Sequence, residues 1–461
     1  MFIKTEISAI IEPAGELTMK ALDLRRHNQI IAFKINDHQI IGYHAYNLEV
    51  AEVSPESFAL MSPISINDGL IPEEKTALST DEQEALSALK DWNVEFNPNA
   101  KSGKLDFGVR SITLNVNQIC NLKCVYCAAG GDGTYGEPTN KISIEKTLPQ
   151  LKFFLEQLKP KQKFAISFVG GEPLLHPDAI HAIYVYVTNE AQRLQITPSM
   201  QIVTNGTLLS GRTLEIVRSM KINLTFSLDG SKKYNDIARP AKNGKSSTDL
   251  TVTALKEVLS NRGDIQKIGI SAICSEQCPD MLDSYHFFET LKPDWMDFVF
   301  AYAEKSEELN KRFIADLTEI ARQAYDSGGE QNLRRIKTFD LYFRLLDHQQ
   351  RIENFCGAGK TYLMVDAKNR LYSCPWDVGL QQESVGQDKQ YDYDKLSNYS
   401  KSLIELNNCQ TCWARHLCGG GCMHINREHT GDKHKKDKLF CERTRSLILV
   451  GILYYKLARA D

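Results

Sequence analysis

Short apolar runs alternate with longer amphipathic stretches through the middle of the chain. Val109–Val116 mixes apolar and β-branched residues with polar ones, as a half-buried strand does. The same kind of pattern predicts five further strands: Phe164–Val169, Met200–Val203, Ile222–Leu228, Ile268–Ile273 and Trp295–Tyr302. Helical periodicity fills the gaps, for example over Ile144–Leu158 and Leu208–Met220. Strands that alternate with helices predict an α/β fold with a parallel sheet and right-handed crossovers.

The first hundred residues carry a mixed pattern instead. It predicts three elements: Gln29–Phe33 and Gln39–Tyr43 as strands, and Ala51–Met61 as a third element of unassigned type. A turn at Asn36-Asp37 joins the first two. Ser79, with Glu82 three residues later, has the signature of a capping box and predicts a helix start. The polar, turn-rich segment Asn97–Lys104 predicts a linker.

Length and charge limit the classes of protein to which this chain can belong. The chain has 461 residues, 42% hydrophobic and 25% charged, with a formal net charge of −3. At roughly 100–200 residues per domain, this length predicts two to four domains. The near-neutral charge lacks the basic excess of a general nucleic-acid binder. The longest apolar run, Leu447–Tyr455, is far shorter than the roughly 20 residues of a membrane span. Since the chain opens without a secretory signal pattern, we expect a cytoplasmic protein with neither nucleic acid nor membrane as a partner.

Twelve cysteines indicate the chemistry. Disulfides are rare in the reducing cytoplasm, so thiols at short spacing predict a metal site, either zinc or iron–sulfur. The first group, Cys120, Cys124 and Cys127, follows a predicted strand, at the end where α/β folds place their chemistry. A structural zinc site takes four ligands, whereas three thiolates on a four-iron cluster leave one iron open for catalysis.

This C-x3-C-x2-C group, with Tyr126 before its last cysteine, resembles the cluster loop of the radical S-adenosylmethionine (radical SAM) enzymes. The next predicted strand runs into Gly170-Gly171-Glu172-Pro173, which resembles that family's GGEP segment. The resemblance implies an open partial (β/α)6 barrel, with a [4Fe–4S] cluster on the three cysteines and S-adenosylmethionine (SAM) at its open iron. Conformational demands also place Asn, Asp and Gly at strand ends. The SAM contacts that the resemblance implies are Tyr126, Gly170, Gly171, Glu172, Pro173, Asn205, Ser227 and Asp229.

The later cysteines resemble the seven-cysteine SPASM extension of radical SAM enzymes, which binds two auxiliary [4Fe–4S] clusters. By that resemblance three [4Fe–4S] clusters are expected in all, and two zinc sites are the alternative. The implied ligands are Cys356, Cys374 and Cys422 for the first auxiliary cluster, and Cys409, Cys412, Cys418 and Cys441 for the second. No further cysteine lies between Gly357 and Ser373, so the first auxiliary cluster has an open iron or a ligand of another kind.

Three smaller features complete the candidate site. Asp377, close to Cys374 in sequence, is a candidate general base or a turn cap. Cys274 and Cys278 follow the fifth predicted strand and are either a spare ligand or redox pair, or simply buried thiols. Asn369 stands where the SPASM pattern often has glycine, and asparagine tolerates the left-handed conformation.

The resemblances divide the chain into four predicted parts. Residues 1–104 are an N-terminal α+β module and linker, compatible with the winged-helix-like modules that bind a precursor's leader peptide by strand addition; an unspecialised cap is the alternative. Residues 105–305 are the radical SAM barrel, 306–355 a helical connector, and 356–461 the cysteine-rich SPASM domain.

These parts predict a radical SAM enzyme that modifies a ribosomally synthesised precursor peptide. The resemblance implies that reductive cleavage of SAM gives a 5′-deoxyadenosyl radical. This radical takes a hydrogen atom from the peptide, and a C–C or C–S (thioether) side-chain crosslink forms. The expected partners are the precursor peptide with its leader and a reductase such as flavodoxin or ferredoxin. An anaerobic sulfatase maturase, which oxidises a cysteine or serine of a protein, and a non-catalytic iron–sulfur electron-transfer protein are the alternatives.

Overall fold

The computed structural model describes residues 23–36, 39–66, 79–95, 107–127 and 141–459, which divide into two compact units. The first unit contains the described positions up to 103 together with 305–355 and 402–459. The second contains those of 104–304 and 356–401, so the cysteine-rich part 356–461 contributes to both. Among the described helices, none combines the length and the apolar character that crossing a membrane requires. Asp37 and the predicted linker Asn97–Lys104 lie outside the described residues.

The strands, labelled β1 to β15 in order, are Leu24–His27, Ile30–Asn36, Gln39–His44, Glu49–Glu52, Ser62–Pro63, Ser111–Asn115, Lys163–Val169, Thr197–Thr204, Asn223–Ser227, Lys267–Cys274, Trp295–Phe300, Tyr362–Val365, Arg370–Tyr372, Ser384–Gln387 and Gln390–Tyr391. The helices, labelled α1 to α15 in order, are Pro55–Leu60, Thr80–Trp92, Ile144–Leu155, Pro177–Leu194, Gly211–Arg218, Lys232–Ala238, Ser247–Ser260, Met281–Leu291, Glu307–Leu333, Lys337–Asp347, Tyr393–Ser397, Leu403–Leu406, Arg415–Cys418, Met423–Thr430 and Lys438–Leu457.

The second unit is built on a parallel sheet that runs in chain order. Strands β6 to β11 each pair with the next, and all five pairs are parallel. Alternate strand positions such as Ile166, Leu224 and Ile270 are buried and form the core between the sheet and its helices. The predicted α/β fold with a parallel sheet is therefore confirmed, with the six predicted strands in place. Its closure as a partial barrel stays a prediction.

The sheet continues beyond β6 with strands that the sequence pattern did not reveal. β12 pairs with β6 in parallel, and β13, β14 and β15 follow in antiparallel pairs. These strands are two to four residues long, too short for a periodic pattern to mark them. Asn369 lies between β12 and β13 with a φ of 60°, the left-handed conformation expected for it.

The first unit contains an antiparallel sheet in the order β4-β3-β2-β1-β5. One face packs against α1 and α2 through an apolar core that includes Ile30, Ala32, Ile40, Phe58 and Leu89. In the same unit, α15 packs against α9 and α10 and also contacts β3 and β4. The N-terminal sheet and the C-terminal helix therefore belong to one packed unit.

The starts of helices α2 and α1 test two of the sequence predictions. The capping box is confirmed: the Ser79 hydroxyl accepts the Glu82 N–H, and the Glu82 carboxylate accepts the Ser79 N–H. A single element over Ala51–Met61 is wrong, because strand β4 ends and helix α1 begins within it. Ser54 caps α1 by accepting the Ser57 N–H at 3.1 Å, and a proline at the first helical position fixes the start.

Candidate active site

Three cysteines lie on the loop that follows β6. Cys120 and Cys124 are half-buried, and Cys127 is exposed. Burial raises the pKa of the Cys124 thiol to about 11, and the positive charge of Arg239 opposes that rise. A cation beside thiols favours their deprotonated form, which is the form that binds metal. The loop therefore has the donor set and the electrostatic setting that an iron–sulfur cluster needs.

A segment that the sequence analysis did not single out, 238–242, holds this loop in place. Three backbone hydrogen bonds of 2.8–3.0 Å join the two. The N–H to carbonyl pairs are Val125 to Ala238, Lys123 to Pro240, and Lys242 to Asn121. They satisfy the main chain of an irregular loop and bring Arg239 against the thiols. No spacing signal marks this segment, because its contribution comes from the backbone.

The two glycines of the GGEP segment lie against the cysteine loop. A Cβ on Gly170 would come within 2.3 Å of the Asn117 carbonyl oxygen, and one on Gly171 within 2.2 Å of the Ile119 carbonyl oxygen. Gly170 also has a φ of 149°, which other residues rarely adopt. The close neighbour of both glycines is therefore the backbone of the cysteine loop. Their SAM contacts stay predictions.

The Glu172 carboxylate is occupied by hydrogen bonds within the protein. Oε1 accepts from the Thr204 hydroxyl (2.6 Å) and the Leu174 N–H (3.0 Å), and Oε2 accepts from the Asn205 N–H (2.8 Å). The residue is 1% exposed, and burial raises its pKa while these bonds oppose the rise. The carboxylate thus fixes the end of β8 and the short turn that begins at Pro173. Contacts of Glu172 and Pro173 with SAM stay predictions.

Asn205 connects the end of β8 to the cysteine loop. Its Nδ2 donates to Asn121 Oδ1 at 2.9 Å and lies 3.7 Å from the Cys120 sulfur. Its Oδ1 accepts from the Thr207 N–H (3.0 Å) and hydroxyl (2.7 Å). Both ends of the amide are therefore held, and its predicted place beside the cofactor is consistent with contact to a cluster ligand.

A buried Asp–Tyr–Arg group lies just after β9. The Tyr126 hydroxyl donates to Asp229 Oδ2 at 2.6 Å and accepts from Arg239, whose Nη1 lies 3.6 Å from Asp229 Oδ1. Burial raises the pKa of Asp229, and the Arg239 charge opposes this. Tyr126 thereby ties the cysteine loop to β9, where Ser227 is the half-buried last residue. Arg239 is the principal residue of this site that sequence analysis missed.

Four later cysteines line a cavity in the first unit. Its lining includes Cys409, Cys412, Cys418 and Cys441. Residues 419–421 are glycines with φ of 73–90°, so the chain turns tightly after Cys418. Arg445 Nη2 lies 3.6 Å from the Cys412 sulfur. Four thiols and a cation around one cavity fit a four-iron cluster, whose irons each take one thiolate. Within the described ranges, no three His, Cys, Asp or Glu side chains form a group suited to a single metal ion.

The remaining cysteines are distributed over both units. Cys356 and Cys374 lie in the second unit and Cys422 in the first, and their assignment to one auxiliary cluster stays a prediction. Cys274 and Cys278 are fully buried, and the Cys278 sulfur lies 3.3 Å from the Asp229 carbonyl oxygen.

Asp377 lies in a buried hydroxyl network of the second unit. It is 5% exposed and accepts a hydrogen bond from the Ser373 hydroxyl at 3.3 Å. That hydroxyl is 2.7 Å from the Tyr399 hydroxyl. The neighbouring Trp376 packs against the buried cluster of Met364, Tyr372 and Val378, as does Val169, the last residue of β7. A role for Asp377 as general base stays a prediction.

Comparisons with known proteins agree with this geometry. The model of the radical SAM superfamily matches residues 114–276, which include the cysteine loop, the GGEP segment and Asp229. An uncharacterized protein of Methanocaldococcus jannaschii is 36% identical over 141 residues, 31% of this chain and less than half (46%) of that relative's length. Mycofactocin maturase MftC of Mycolicibacterium smegmatis is 25% identical over 332 residues, 68% of this chain and 77% of MftC. A cysteine-type anaerobic sulfatase-maturating enzyme of Clostridium novyi is 23% identical over 356 residues, 71% of this chain and 91% of that enzyme.

Two solved structures share the fold. Histidine-tagged anSMEcpe with bound AdoMet has a TM-score of 0.63 at 19% identity, covering 76% of this chain and 95% of anSMEcpe. Streptococcus suis SuiB bound to precursor peptide SuiA has a TM-score of 0.53 at 14% identity, covering 90% of this chain and 99% of SuiB.

The parallel sheet and the three-cysteine loop define an α/β protein with the thiol donors of an iron–sulfur cluster. The chain is an enzyme that contains a radical SAM domain over residues 114–276. The family implies a [4Fe–4S] cluster and SAM, and the half-buried thiols beside Arg239 fit that cluster. The non-catalytic electron-transfer alternative is therefore set aside.

Proposed function

We propose that this enzyme is a SPASM-type maturase that modifies a ribosomally synthesised precursor peptide. The observation that carries the peptide assignment is the extent of the likeness to SuiB. Residues after position 103 make up 78% of the chain, so a likeness over 90% extends into the first 103 residues. The likeness to anSMEcpe covers 76% and does not require those residues. This extension into the N-terminal region supports a peptide substrate, because SuiB is seen with a precursor peptide.

The proposal includes three [4Fe–4S] clusters and a partial barrel with a SPASM domain. Cys120, Cys124 and Cys127 would hold the cluster that binds SAM. When bound, the cluster and SAM together would supply the one-electron chemistry that removes a hydrogen atom from the peptide. The chain's own residues position it: Asn205 and Arg239 fix the loop, as described above. The cysteines of the auxiliary clusters would be Cys356, Cys374 and Cys422 for the first, and Cys409, Cys412, Cys418 and Cys441 for the second.

Strand β4 is the sheet edge where a leader peptide would add. The opposite edge, β5, has two residues, and one is Pro63, which has no N–H. On the β4 side, the Val53 N–H donates to the Ile40 carbonyl at 3.0 Å. Because N–H groups alternate along a strand, those of Val50 and Glu52 point away from β3. These groups support the proposal that a peptide strand binds here.

The product proposed is a C–C or C–S crosslink between peptide side chains, with a flavodoxin or ferredoxin as electron donor. Reduced enzyme, SAM and the short peptide encoded beside its gene should give a peptide lighter by two hydrogen atoms, read by mass spectrometry. Consumption of SAM with no mass change would contradict the proposal.

Substitution of Val50 tests the leader edge. Val50→Pro removes an outward N–H without breaking a bond to β3, so we expect at least a tenfold loss of peptide affinity, about 1.4 kcal/mol, by fluorescence anisotropy. SAM cleavage without peptide should be unchanged, and Val50→Ala, which keeps the N–H, should bind as wild type does. Equal peptide affinity of Val50→Pro and wild type would contradict binding at this edge.

Sulfatase maturation is the second candidate, because the Clostridium novyi sulfatase-maturating enzyme matches 71% of this chain over 91% of its own length. A sulfatase-derived peptide with its target cysteine or serine separates the two. Oxidation of that residue, with no change in the neighbouring gene's peptide, would favour the maturase.

A further inference from the structure

Two fully buried hydrogen-bond donors near Cys412 have no partner in the part of the chain that the structure describes. They are the Tyr43 hydroxyl and Trp413 Nε1. Buried polar groups in proteins are nearly always paired, and each unpaired one costs about 1–3 kcal/mol. Trp413 directly follows Cys412, one of the four thiols that line the cavity. Neither donor lines the cavity itself, but Trp413 is adjacent to Cys412 in the chain and Tyr43 lies within electrostatic range of its thiol.

Strand register places Tyr43 on the sheet face that holds the cysteine segment. Tyr43 in β3 pairs with Ile31 in β2, and Ile31 pairs with Arg26 in β1. Directly paired residues project from the same face of a sheet. Arg26 Nη1 on this face donates to the Thr411 carbonyl at 3.0 Å. Thr411 precedes Cys412, so the Tyr43 face lies against the backbone that leads into this thiol.

A second side-chain contact, made by Arg415, also joins the N-terminal sheet to the segment that contains Cys412. Arg415 Nη2 donates to Gln29 Oε1 at 2.9 Å, and its Nη1 donates to the Cys412 carbonyl at 3.1 Å. The guanidinium therefore joins the start of β2 to the cysteine itself. Tyr43 lies within the electrostatic range of both Arg415 and the Cys412 thiol, while burial raises its pKa and keeps its proton in place to donate.

We propose that the Tyr43 hydroxyl donates a hydrogen bond to a sulfur of the second auxiliary cluster on its Cys412 side. This rests on the proposed function, because it requires a cluster on Cys409, Cys412, Cys418 and Cys441. Tyr43 is then a positioning and tuning residue supplied by the N-terminal sheet. A donor to a cluster sulfur stabilises the more negative, reduced state, so the bond raises the reduction potential.

Tyr43→Phe tests this, because it removes one oxygen and keeps the ring. The protein is the full chain, reconstituted without oxygen, in a background with Cys120, Cys124 and Cys127 changed to alanine so that only auxiliary clusters contribute. An EPR-monitored redox titration gives their midpoint potentials, and Cys412→Ala assigns the signal. We expect a lower potential for the second auxiliary cluster alone. Tyr454→Phe is the matched control, since Tyr454 is a buried tyrosine of the same unit that packs with Tyr325, and it should leave the potential unchanged.

The unfolding of the apoprotein supplies an independent measurement. Removing an unpaired buried hydroxyl should leave the stability of Tyr43→Phe equal to or above that of wild type, so a lower potential cannot be attributed to a damaged fold. An unchanged potential with a more stable apoprotein would overturn the hydrogen bond and leave the cluster assignment standing. Wild-type protein without iron and sulfide at these cysteines would overturn the cluster assignment and the bond together.

Discussion

Glu172→Gln separates two roles for the carboxylate of the GGEP segment. The family resemblance assigns it to the amino-acid part of SAM, whereas its oxygens accept three hydrogen bonds inside the protein. Glutamine has nearly the same shape but replaces one oxygen with an amide nitrogen, which donates. Every donor that now faces this carboxylate is held by the end of β8 or by the turn after β7. The substitution therefore tests the internal hydrogen bonds directly.

The expected loss of unfolding free energy depends on which oxygen of the Glu172 carboxylate the amide nitrogen replaces. An amide nitrogen at the Oε1 position faces two donors, the Thr204 hydroxyl and the Leu174 N–H. At the Oε2 position it faces one, the Asn205 N–H, so this orientation costs less. Two donors, the amide's own and that of Asn205, then stay unpaired in a site that is 1% exposed. At about 1–3 kcal/mol for each buried unpaired donor, we expect a loss of about 2–6 kcal/mol.

Urea unfolding of the cluster-free protein measures this loss without any contribution from SAM. Glu190→Gln is the matched control: it makes the same chemical change in a surface pair with Arg193, where solvent screens the interaction. SAM affinity of the reconstituted enzyme is measured alongside by equilibrium dialysis. If Glu172→Gln unfolds as wild type does while its SAM affinity falls, the carboxylate is a ligand and the structural role assigned to it here is refuted.

Two further predictions concern buried charges. Arg239→Gln removes the cation beside buried Asp229 and should cost about 3–5 kcal/mol of unfolding free energy; combined with Asp229→Asn it should cost less than the two single losses added, and strict additivity would contradict their coupling. His44 is fully buried and accepts the Asn47 N–H at 2.9 Å, and burial lowers its pKa. Below a pH of about 6.5 the unfolded chain binds a proton that folded His44 does not, so stability should fall from pH 7 toward pH 5. His44→Gln should flatten that part of the profile, and an unchanged slope would contradict this.

The periodicity of apolar residues and the spacing of the cysteines were sufficient to predict the parallel sheet and the loop that carries the first three cysteines. The six parallel strands are long enough to show buried positions at regular intervals, and four of them, β6 to β9, end in residues that the site uses. The cysteines and the GGEP segment are recognisable because their chemistry depends on residue type at fixed spacing. The capping box of α2 was predictable for the same reason, since two side chains three residues apart satisfy each other's backbone.

Contacts between distant segments could not be read from the sequence. Arg239 reaches the thiols because the backbone of 238–242 pairs with the cysteine loop, and backbone pairing leaves no trace in residue type. Arg26 and Gln29 meet the segment Thr411–Arg415 across more than 380 positions. The sequence pattern treated the first hundred residues as a separate module, because neither partner of such a contact carries a local signal.

The N-terminal sheet has two proposed roles, leader-peptide binding at β4 and hydrogen-bond donation to the cluster by Tyr43. The strand register places the residues for these roles side by side, so the experiments must separate them. Val50 on the edge strand β4 pairs directly with Tyr43 on β3, whose hydroxyl is proposed to face the cluster. Deletion of the first hundred residues would remove the leader edge and Tyr43 together. It would also break the Arg26–Thr411 bond, so loss of activity would have no single cause. Point substitutions avoid this: Val50→Pro should change peptide affinity and leave the auxiliary potential alone, whereas Tyr43→Phe should do the reverse. If either variant changes both quantities, the two roles are coupled through the β3–β4 pair.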